Sequence, residues 1–573
     1  MELTRRNFVA ASAAAGAGVF AAGQAAVALA DEKASASADG ASSTSAGPWR
    51  DKPAPITDIA STEDYDLVIV GGGNGGMVAA CTAIEAGAKV VVLEKYSFNA
   101  MAKEAIASVG AADQADFPVD MARLIKEVDS CQAGAVDARL YQVWGEKSGE
   151  MMDWLTGVLE EQGLQVVLES ASPDPSLDEH IYYPPICHNT FGAGGFEYNP
   201  DGPNYGMYGH IEALVKHYTD LGGTIAYEMP AQQLVQDASG AVAGVIAKNA
   251  DGQYVQYNAA KGVILCTGGF AGNAEMVGEL VPETAYCAGT STAGDTGDGV
   301  RMAMWAGAEL EPDHACMIWN RVILPDDFQF GLDPMATTFL PGSQPFLHVN
   351  TLGERFMNED KPYPMSFSAG TRQPGHFSWE VWDGKYWEDI QRFDTTGCSR
   401  LSPAPSGTAA NADVYDCEAM TKEHLDGYWL QSSLDSGALK KCDTLEELAE
   451  AMQLDETATQ TFLATVERYN ELAEAGVDED FGKAAYRMST VSEPPFYAAR
   501  ISGLLLCSIS GILTDTRSRA RKADGTTIPG LWVCGNDQGG FYPQNYPSQL
   551  IGMNMGRVCT FARIAVKDAL GVE

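Results

Sequence analysis

YDLVIVGGGNGGM, residues Tyr65–Met77, is the stretch that decides how the rest of the chain is read. Asp66-Leu67-Val68-Ile69-Val70 is short, apolar and rich in β-branched residues, the pattern of a parallel strand buried on both faces. It runs directly into six residues, Gly71-Gly72-Gly73-Asn74-Gly75-Gly76, that satisfy G-x-G-x-x-G through Gly71, Gly73 and Gly76. Gly71 permits the tight turn, Gly73 lets the backbone approach a pyrophosphate, and Gly76 lets helix and strand pack closely. The Ala-rich segment Met77–Ala86 opens a helix whose N-terminal N–H groups and partial positive charge suit phosphates. A second strand, Lys89–Leu93, ends in Glu94, about twenty residues beyond the glycines, where a carboxylate can hold a ribose hydroxyl. The unit is a dinucleotide-binding βαβ.

At 573 residues, 45% hydrophobic and 20% charged, the chain can build two or three domains around a large core. Its 77 acidic and 37 basic residues give a net charge of −40. That field repels nucleic acid and anionic lipid. It favours basic partners such as electron-carrier proteins, and it equally serves plain solubility. The 12 cysteines form no C-x-x-C or C-x-x-C-H spacing, so haem attachment, zinc and iron–sulfur sites lack their usual signature and no metal is expected.

Thr4-Arg5-Arg6-Asn7-Phe8-Val9 carries twin arginines, an Ala/Gly/Val run follows, and Ala28-Leu29-Ala30 has the form of a cleavage site. Residues 1–30 read as a twin-arginine signal peptide, against a chance arginine pair, and the protein is expected outside the cytoplasmic membrane, in periplasm or cell envelope. Residues 31–63, rich in Ser, Ala, Asp and Pro, read as a flexible linker. No later stretch is apolar and long enough to span a membrane.

Beyond Glu94, Phe117–Val136 and Leu140–Gly163 have helical periodicity. Thr224–Tyr227 and then Ala231–Asn249 alternate like antiparallel strands, with a turn at Ala238-Ser239-Gly240. Gly262–Cys266 is a further buried strand ending in Thr267-Gly268-Gly269-Phe270, and Gly294–Gly299 (GDTGDG) opens an Ala/Met-rich helix. Farther on, Thr444-Leu445-Glu446-Glu447 is a capping box, Asp455 caps a second helix, and Gly476 ends it in a left-handed conformation. Cys398–Asp413 reads as a surface loop.

The glycine fingerprint, CTGGF, GDTGDG and the late Ile528–Asn536 (IPGLWVCGN), in that order, resemble the fumarate reductase/succinate dehydrogenase flavoprotein superfamily, in its exported reductase branch. Phe561–Ala565 is similar to that family's last helix, and Thr465-Val466, Tyr469-Asn470 and Gly476–Lys483 to the helical end of its mobile cap. The resemblance implies an α/β fold: a two-piece Rossmann-like FAD-binding domain, residues 64–310 and 494–573, with an inserted α+β cap domain, residues 311–493, that acts as a lid. It implies FAD held without a covalent link by Gly71, Gly72, Gly73, Gly75, Gly76, Glu94, Lys95, Ala231 beside the adenine, Thr267, Gly268, Gly269, Asp298, Asn536, Leu550 and Ile551. After Lys95 the chain departs from the family, with Asn99-Ala100-Met101 in place of Gly-Gly-Asn.

His348–Glu359 matches the family's VNxxGxRFxNE segment, and the departures that follow concern the substrate. The arginine proton donor of fumarate reductases falls at Tyr363, the carboxylate-clamping arginine at Tyr546, a substrate histidine at Cys507, and the glutamate–arginine relay at Phe339 and Gly342. A dicarboxylate needs charge-assisted contacts worth about 1.5–3 kcal/mol each, so fumarate is a poor ligand here. The pattern NExxPY with a late GN…YP is similar to 3-ketosteroid dehydrogenases, although Pro547-Ser548-Gln549-Leu550 replaces their glycine-rich turn. This likeness implies Tyr363, Tyr546 and Glu359 as the catalytic set. Tyrosine can donate to or protonate a neutral enone without burying a charge; packing is the competing role for both rings, and a register slip would put Tyr542 in place of Tyr546.

The reading favoured by these residues is an exported FAD-dependent oxidoreductase that reduces an activated C=C bond of a small, neutral, enone-like organic acceptor. Its electrons come from a membrane-associated cytochrome or another external donor. A 3-ketosteroid-type dehydrogenase, a fumarate or enoate reductase, and a flavin electron shuttle without turnover remain the alternatives.

Overall fold

Parallel pairing on both sides of Ile59–Val70 sets the architecture. In the computed structural model, which describes residues 47–99, 105–169, 182, 184–192, 209–333, 336, 338–393, 395, 399, 401 and 422–572, this strand lies between Val90–Leu93 and Tyr254–Leu265, with Val68 opposite Val91 on one side and Val263 on the other. Thr224–Ala226 extends the sheet beyond Val90–Leu93, and Thr527–Val533 extends it beyond Tyr254–Leu265, both in parallel. Arg519–Arg521 closes that edge antiparallel. Strands distant in sequence therefore share one sheet.

Side chains that alternate along a strand face opposite ways, and here both faces are apolar. Leu67 and Ile69 join a core with Met77, Val78 and Cys559, whereas Val68 and Val70 join another with Phe270, Val300 and Leu531. Burial on both faces is why the run lacks polar alternation. The helices Asn74–Glu85 and Met553–Leu570 pack together over the first face.

Thr224–Ala226 corrects the antiparallel expectation: Ile225 lies opposite Val92 in a parallel pair. Only Ala231–Gln236 and Val242–Lys248 form the antiparallel hairpin, around the Asp237–Gly240 turn. Alternation reports which face is buried and says nothing of strand direction.

A second sheet centres on Phe496–Ser508, buried along its whole length. Ser378–Trp382, Leu439–Cys442 and Cys316–Ile323 flank it antiparallel and Cys287–Thr290 parallel. Ile106–Ala107, Cys187–Gly192 and Leu164–Glu169 form a third, antiparallel sheet.

Helices appear at Met121–Cys131 and Ala138–Glu161. Thr444 and Glu447 form the capping box, Asp455 accepts from the Ala458 N–H at 2.8 Å, and Gly476 ends the helix Glu456–Ala475 at φ +67°. The twin-arginine leader, Ala100, Met101 and most of Cys398–Asp413 lie outside the described residues.

Candidate active site

The end of Ile59–Val70 opens into a cavity lined by residues from chain segments far apart in sequence. Gly71, Gly73, Gly75, Glu94, Lys95, Ala231, Thr267, Gly268, Asp298, Asn536 and Ile551 line it, together with Tyr363 and Tyr546. Gly71 turns the chain at φ +99°, and a Cβ there would stand 2.3 Å from the Cys266 carbonyl oxygen. Gly73 caps Asn74–Glu85, so that helix presents its N-terminal N–H groups to the cavity. Gly552, at φ +73°, places the start of Met553–Leu570 against the same space.

Glu94 is buried, and its two oxygens accept from the Gly72 N–H at 2.8 Å and the Tyr96 N–H at 2.9 Å. Burial pushes its carboxyl above the ordinary range despite those bonds. Each oxygen keeps a lone pair for a ribose diol. Lys95 bonds the Gly294 carbonyl, Thr296 Oγ1 at 3.1 Å and Asp298 Oδ2 at 3.1 Å. Burial raises the Asp298 carboxyl, but Lys95 and Arg301 outweigh it and hold the group below its usual value.

Four of the expected FAD residues do not line the cavity. Gly72 is turned aside, its N–H on Glu94 and its carbonyl on the Asn99 amide at 2.7 Å. Gly76 serves packing: a Cβ there would lie 1.8 Å from the Gly71 oxygen. Gly269, at φ +85°, backs onto Ser508, and Leu550 sits in the core with Tyr546 and Phe541.

Asp537 was missed by the sequence reading and organises this loop. Its carboxylate accepts from the Thr267 N–H at 2.5 Å, Thr267 Oγ1 at 2.9 Å and the Gly269 N–H at 3.0 Å. Burial pushes it up to about 6 against those bonds. Its place beside Asn536 in IPGLWVCGND was the available signal.

Tyr363 opens the helix Tyr363–Gly370 directly after Pro362, the position where a missing N–H costs nothing. Its ring meets Trp319 edge-on at 6.1 Å, and the Arg321 guanidinium lies 5.7 Å from the ring centre. The strand Cys316–Ile323 is irregular between Asn320 and Val322, and there the Arg321 guanidinium lies over the Trp319 ring at 4.2 Å. A cation there stabilises negative charge developing on the phenol.

Tyr546 is 3% exposed, and its hydroxyl accepts from the Asn554 N–H at 3.3 Å, in the first turn of Met553–Leu570. Accepting from a helix N-terminus strengthens a hydroxyl as a donor. The preceding backbone is clamped by buried Gln132, whose Oε1 accepts from the Gln544 N–H at 2.9 Å and the Asn545 N–H at 3.1 Å. Tyr542 lies beneath Tyr546, ring centroids 5.4 Å apart, and does not line the cavity. Its hydroxyl has no partner at hydrogen-bond distance among the described residues, and burial drives it upward while nearby Arg557 and Tyr141 oppose that rise.

Glu359 does not face this space. Its oxygens take Arg355 Nε at 2.9 Å and Nη2 at 2.8 Å, with Lys483 Nζ at 3.3 Å. Burial raises the carboxyl, but Lys483 and Arg355 bring it below its ordinary value. A carboxylate so held is a buried ionic anchor, which corrects its expected place beside the reacting atoms. Phe339 is likewise core, its ring stacked on Trp382 at 6.0 Å.

Among the described residues that line the main cavity, Lys95 is the one cation, and its ammonium is taken by Asp298. Met317, Leu506, Cys507, Ser548 and Asn554 line the same cavity as Tyr363 and Tyr546. The glycine cradle, two helix N-termini and Glu94 fit a flavin dinucleotide.

A family model described as FAD binding domain matches residues 66–549. The vinyl phenol reductase of Lactiplantibacillus plantarum is 25% identical over 513 residues, covering 87% of this chain and 94% of that protein. The 3-oxosteroid 1-dehydrogenase of Mycolicibacterium smegmatis is 31% identical over 334 residues, 54% of this chain and 52% of its own. Among solved structures, the 3-ketosteroid delta1-dehydrogenase from Sterolibacterium denitrificans matches with a TM-score of 0.66 and 20% identity, over 89% of this chain and 99% of that one. That last likeness is one of fold.

Proposed function

The chain belongs to the FAD binding domain family and is an FAD-dependent oxidoreductase acting on C=C or CH–CH bonds, and from that premise we propose that it reduces the C=C bond of a small, uncharged, oxygen-conjugated alkene: an enone or a vinyl phenol. One observation carries the reading. Both positions that the fumarate reductase resemblance assigns to cations hold tyrosines, and among the described residues lining the main cavity the one cation, Lys95, is taken by Asp298. The similar vinyl phenol reductase, whose name specifies an uncharged alkene, supports the same choice.

Gly71, Gly73, Glu94, Lys95, Thr267, Asp298 and Asn536 hold FAD without a covalent link. FAD bound there would supply the electron pair, as a hydride equivalent, for one alkene carbon. On an enone, Tyr546 donates a hydrogen bond to the carbonyl oxygen as enolate charge builds on it, and Tyr363 gives its proton to the other alkene carbon. Leu506, Met317 and Cys507 exclude water and seat the conjugated plane. The electrons come from an external donor. Export by the twin-arginine route places the protein outside the cytoplasmic membrane.

Anaerobic oxidation of reduced viologen by the purified holoprotein tests the reaction across enones, vinyl phenols, urocanate, fumarate and steroids. Reduced products from the neutral alkenes are expected. Turnover of fumarate at the rate of the best enone, or reaction only as dehydrogenation of a saturated 3-ketosteroid, overturns the proposal. Acid denaturation should free FAD into the supernatant. Replacing Arg5 and Arg6 by Lys should hold flavin-loaded precursor in the cytoplasm, and undiminished export would point to another route.

A further inference from the structure

Tyr363 lines two cavities. The second, smaller one is polar, and Asn320, His348, Glu359, Ser366 and Gln549 contribute to its wall, with exposed Lys361 towards solvent. Ser548 also belongs to both. We infer that this smaller cavity is a water-filled inlet that returns a proton to Tyr363 after each turnover, with Ser366 and Asn320 ordering the water. The inference rests on Tyr363 being the proton donor.

The chemistry demands such an inlet. The Tyr363 O–H bond breaks as a C–H bond forms on the acceptor, so the phenolate left behind must take one proton from solvent before the next cycle. With cofactor and substrate in the main cavity, the route has to lie on the other side of the ring. At the two positions where related reductases carry a side-chain relay, Phe339 is packed on Trp382, and Gly342 lines the inlet with no side chain to fill it.

The groups around the inlet suit water better than side-chain transfer. Glu359 is committed to Arg355 and Lys483. His348 is driven down to about 4 by burial, with Nδ1 at 2.9 Å from Ser378 Oγ. Asp360 is paired with Arg487. The neutral groups remain. Gln549 Oε1 is buried with no hydrogen-bond partner among the described residues, which is the mark of a site that water completes. Ser366 lies three residues after Tyr363 on one helix, hence on the same face.

The test separates the first turnover from those that follow. Pre-reduced Ser366→Ala and Asn320→Leu holoenzymes, mixed anaerobically with a neutral alkene, should complete the first turnover at the wild-type rate, because Tyr363 begins protonated. Steady-state kcat at saturating reduced viologen should fall about tenfold or more, with KM within twofold, and imidazole buffer should restore it. Equal slowing of both phases, no slowing at all, or a raised KM with unchanged kcat overturns the inlet. Tyr363→Phe run in parallel keeps the two readings apart. If that variant loses activity while the inlet variants do not, only the inlet falls; if it retains full activity, the proton-donor role falls.

Discussion

In the proposed reaction Tyr363 and Tyr546 take different roles, and their surroundings differ accordingly. Tyr546 is buried, with its hydroxyl fixed by the Asn554 N–H. Tyr363 is half-buried at a helix start, beside Arg321 and between two cavities. Removing a general acid costs ~10²–10⁴ in rate, so Tyr363→Phe should nearly stop turnover while the flavin spectrum is unchanged. Tyr546→Phe should lower kcat/KM by ~10–10³, since the lost hydrogen bond strengthens as charge builds on the substrate oxygen. Steady-state kinetics of flavin-loaded variants check both. These two tyrosines and the glycines were legible in the sequence because a motif spacing or a backbone geometry demands their type. Gln132, Asp537 and Asn554 were not, because each acts through a contact with a remote or irregular segment. Glu359 was legible as a motif member but not as an anchor, since Arg355 and Lys483 meet it only in the fold.

At the scale of elements, the turn that delivers the tyrosine segment is held by Glu311. Its oxygens accept from the Gly511 N–H at 2.6 Å and the Gly540 N–H at 2.9 Å, and burial pushes the carboxyl from 4.5 up to about 7. A carboxyl raised in the folded state contributes stability below its unfolded value and loses it as pH rises through the folded one. At about 1.4 kcal/mol per pH unit, ionisation above pH 7 costs about 3 kcal/mol. Glu311→Gln loses one of the two hydrogen bonds, which lowers its Tm at pH 5. Between pH 5 and 8.5 its Tm should decline less than that of the wild type, and parallel Tm curves would contradict this. Periodicity and capping made most helices readable, as at Thr444 and Asp455. Strand direction was not: Thr224–Ala226 needs its partner Val90–Leu93 before it can be called parallel.

For the whole molecule, joining Thr527–Val533 to Ile59–Val70 through Tyr254–Leu265 is what brings Asn536 and Tyr546 to the glycine turn. The order of the motifs made that closure legible. The polar inlet was not, because its walls come from strand, helix and turn residues with no shared pattern. The central claim is that two tyrosines select an uncharged alkene where related reductases clamp a carboxylate. It is tested most directly by kcat/KM on pairs in which a methyl ester replaces each carboxylate, methyl cinnamate against cinnamate and dimethyl fumarate against fumarate, with reduced viologen as donor. A carboxylate in the main cavity, where the one lining cation among the described residues is taken by Asp298, loses two or more charge-assisted contacts of about 1.5–3 kcal/mol each. The esters should therefore be favoured by at least ~10²-fold, and equal or better turnover of the free acids would contradict the account.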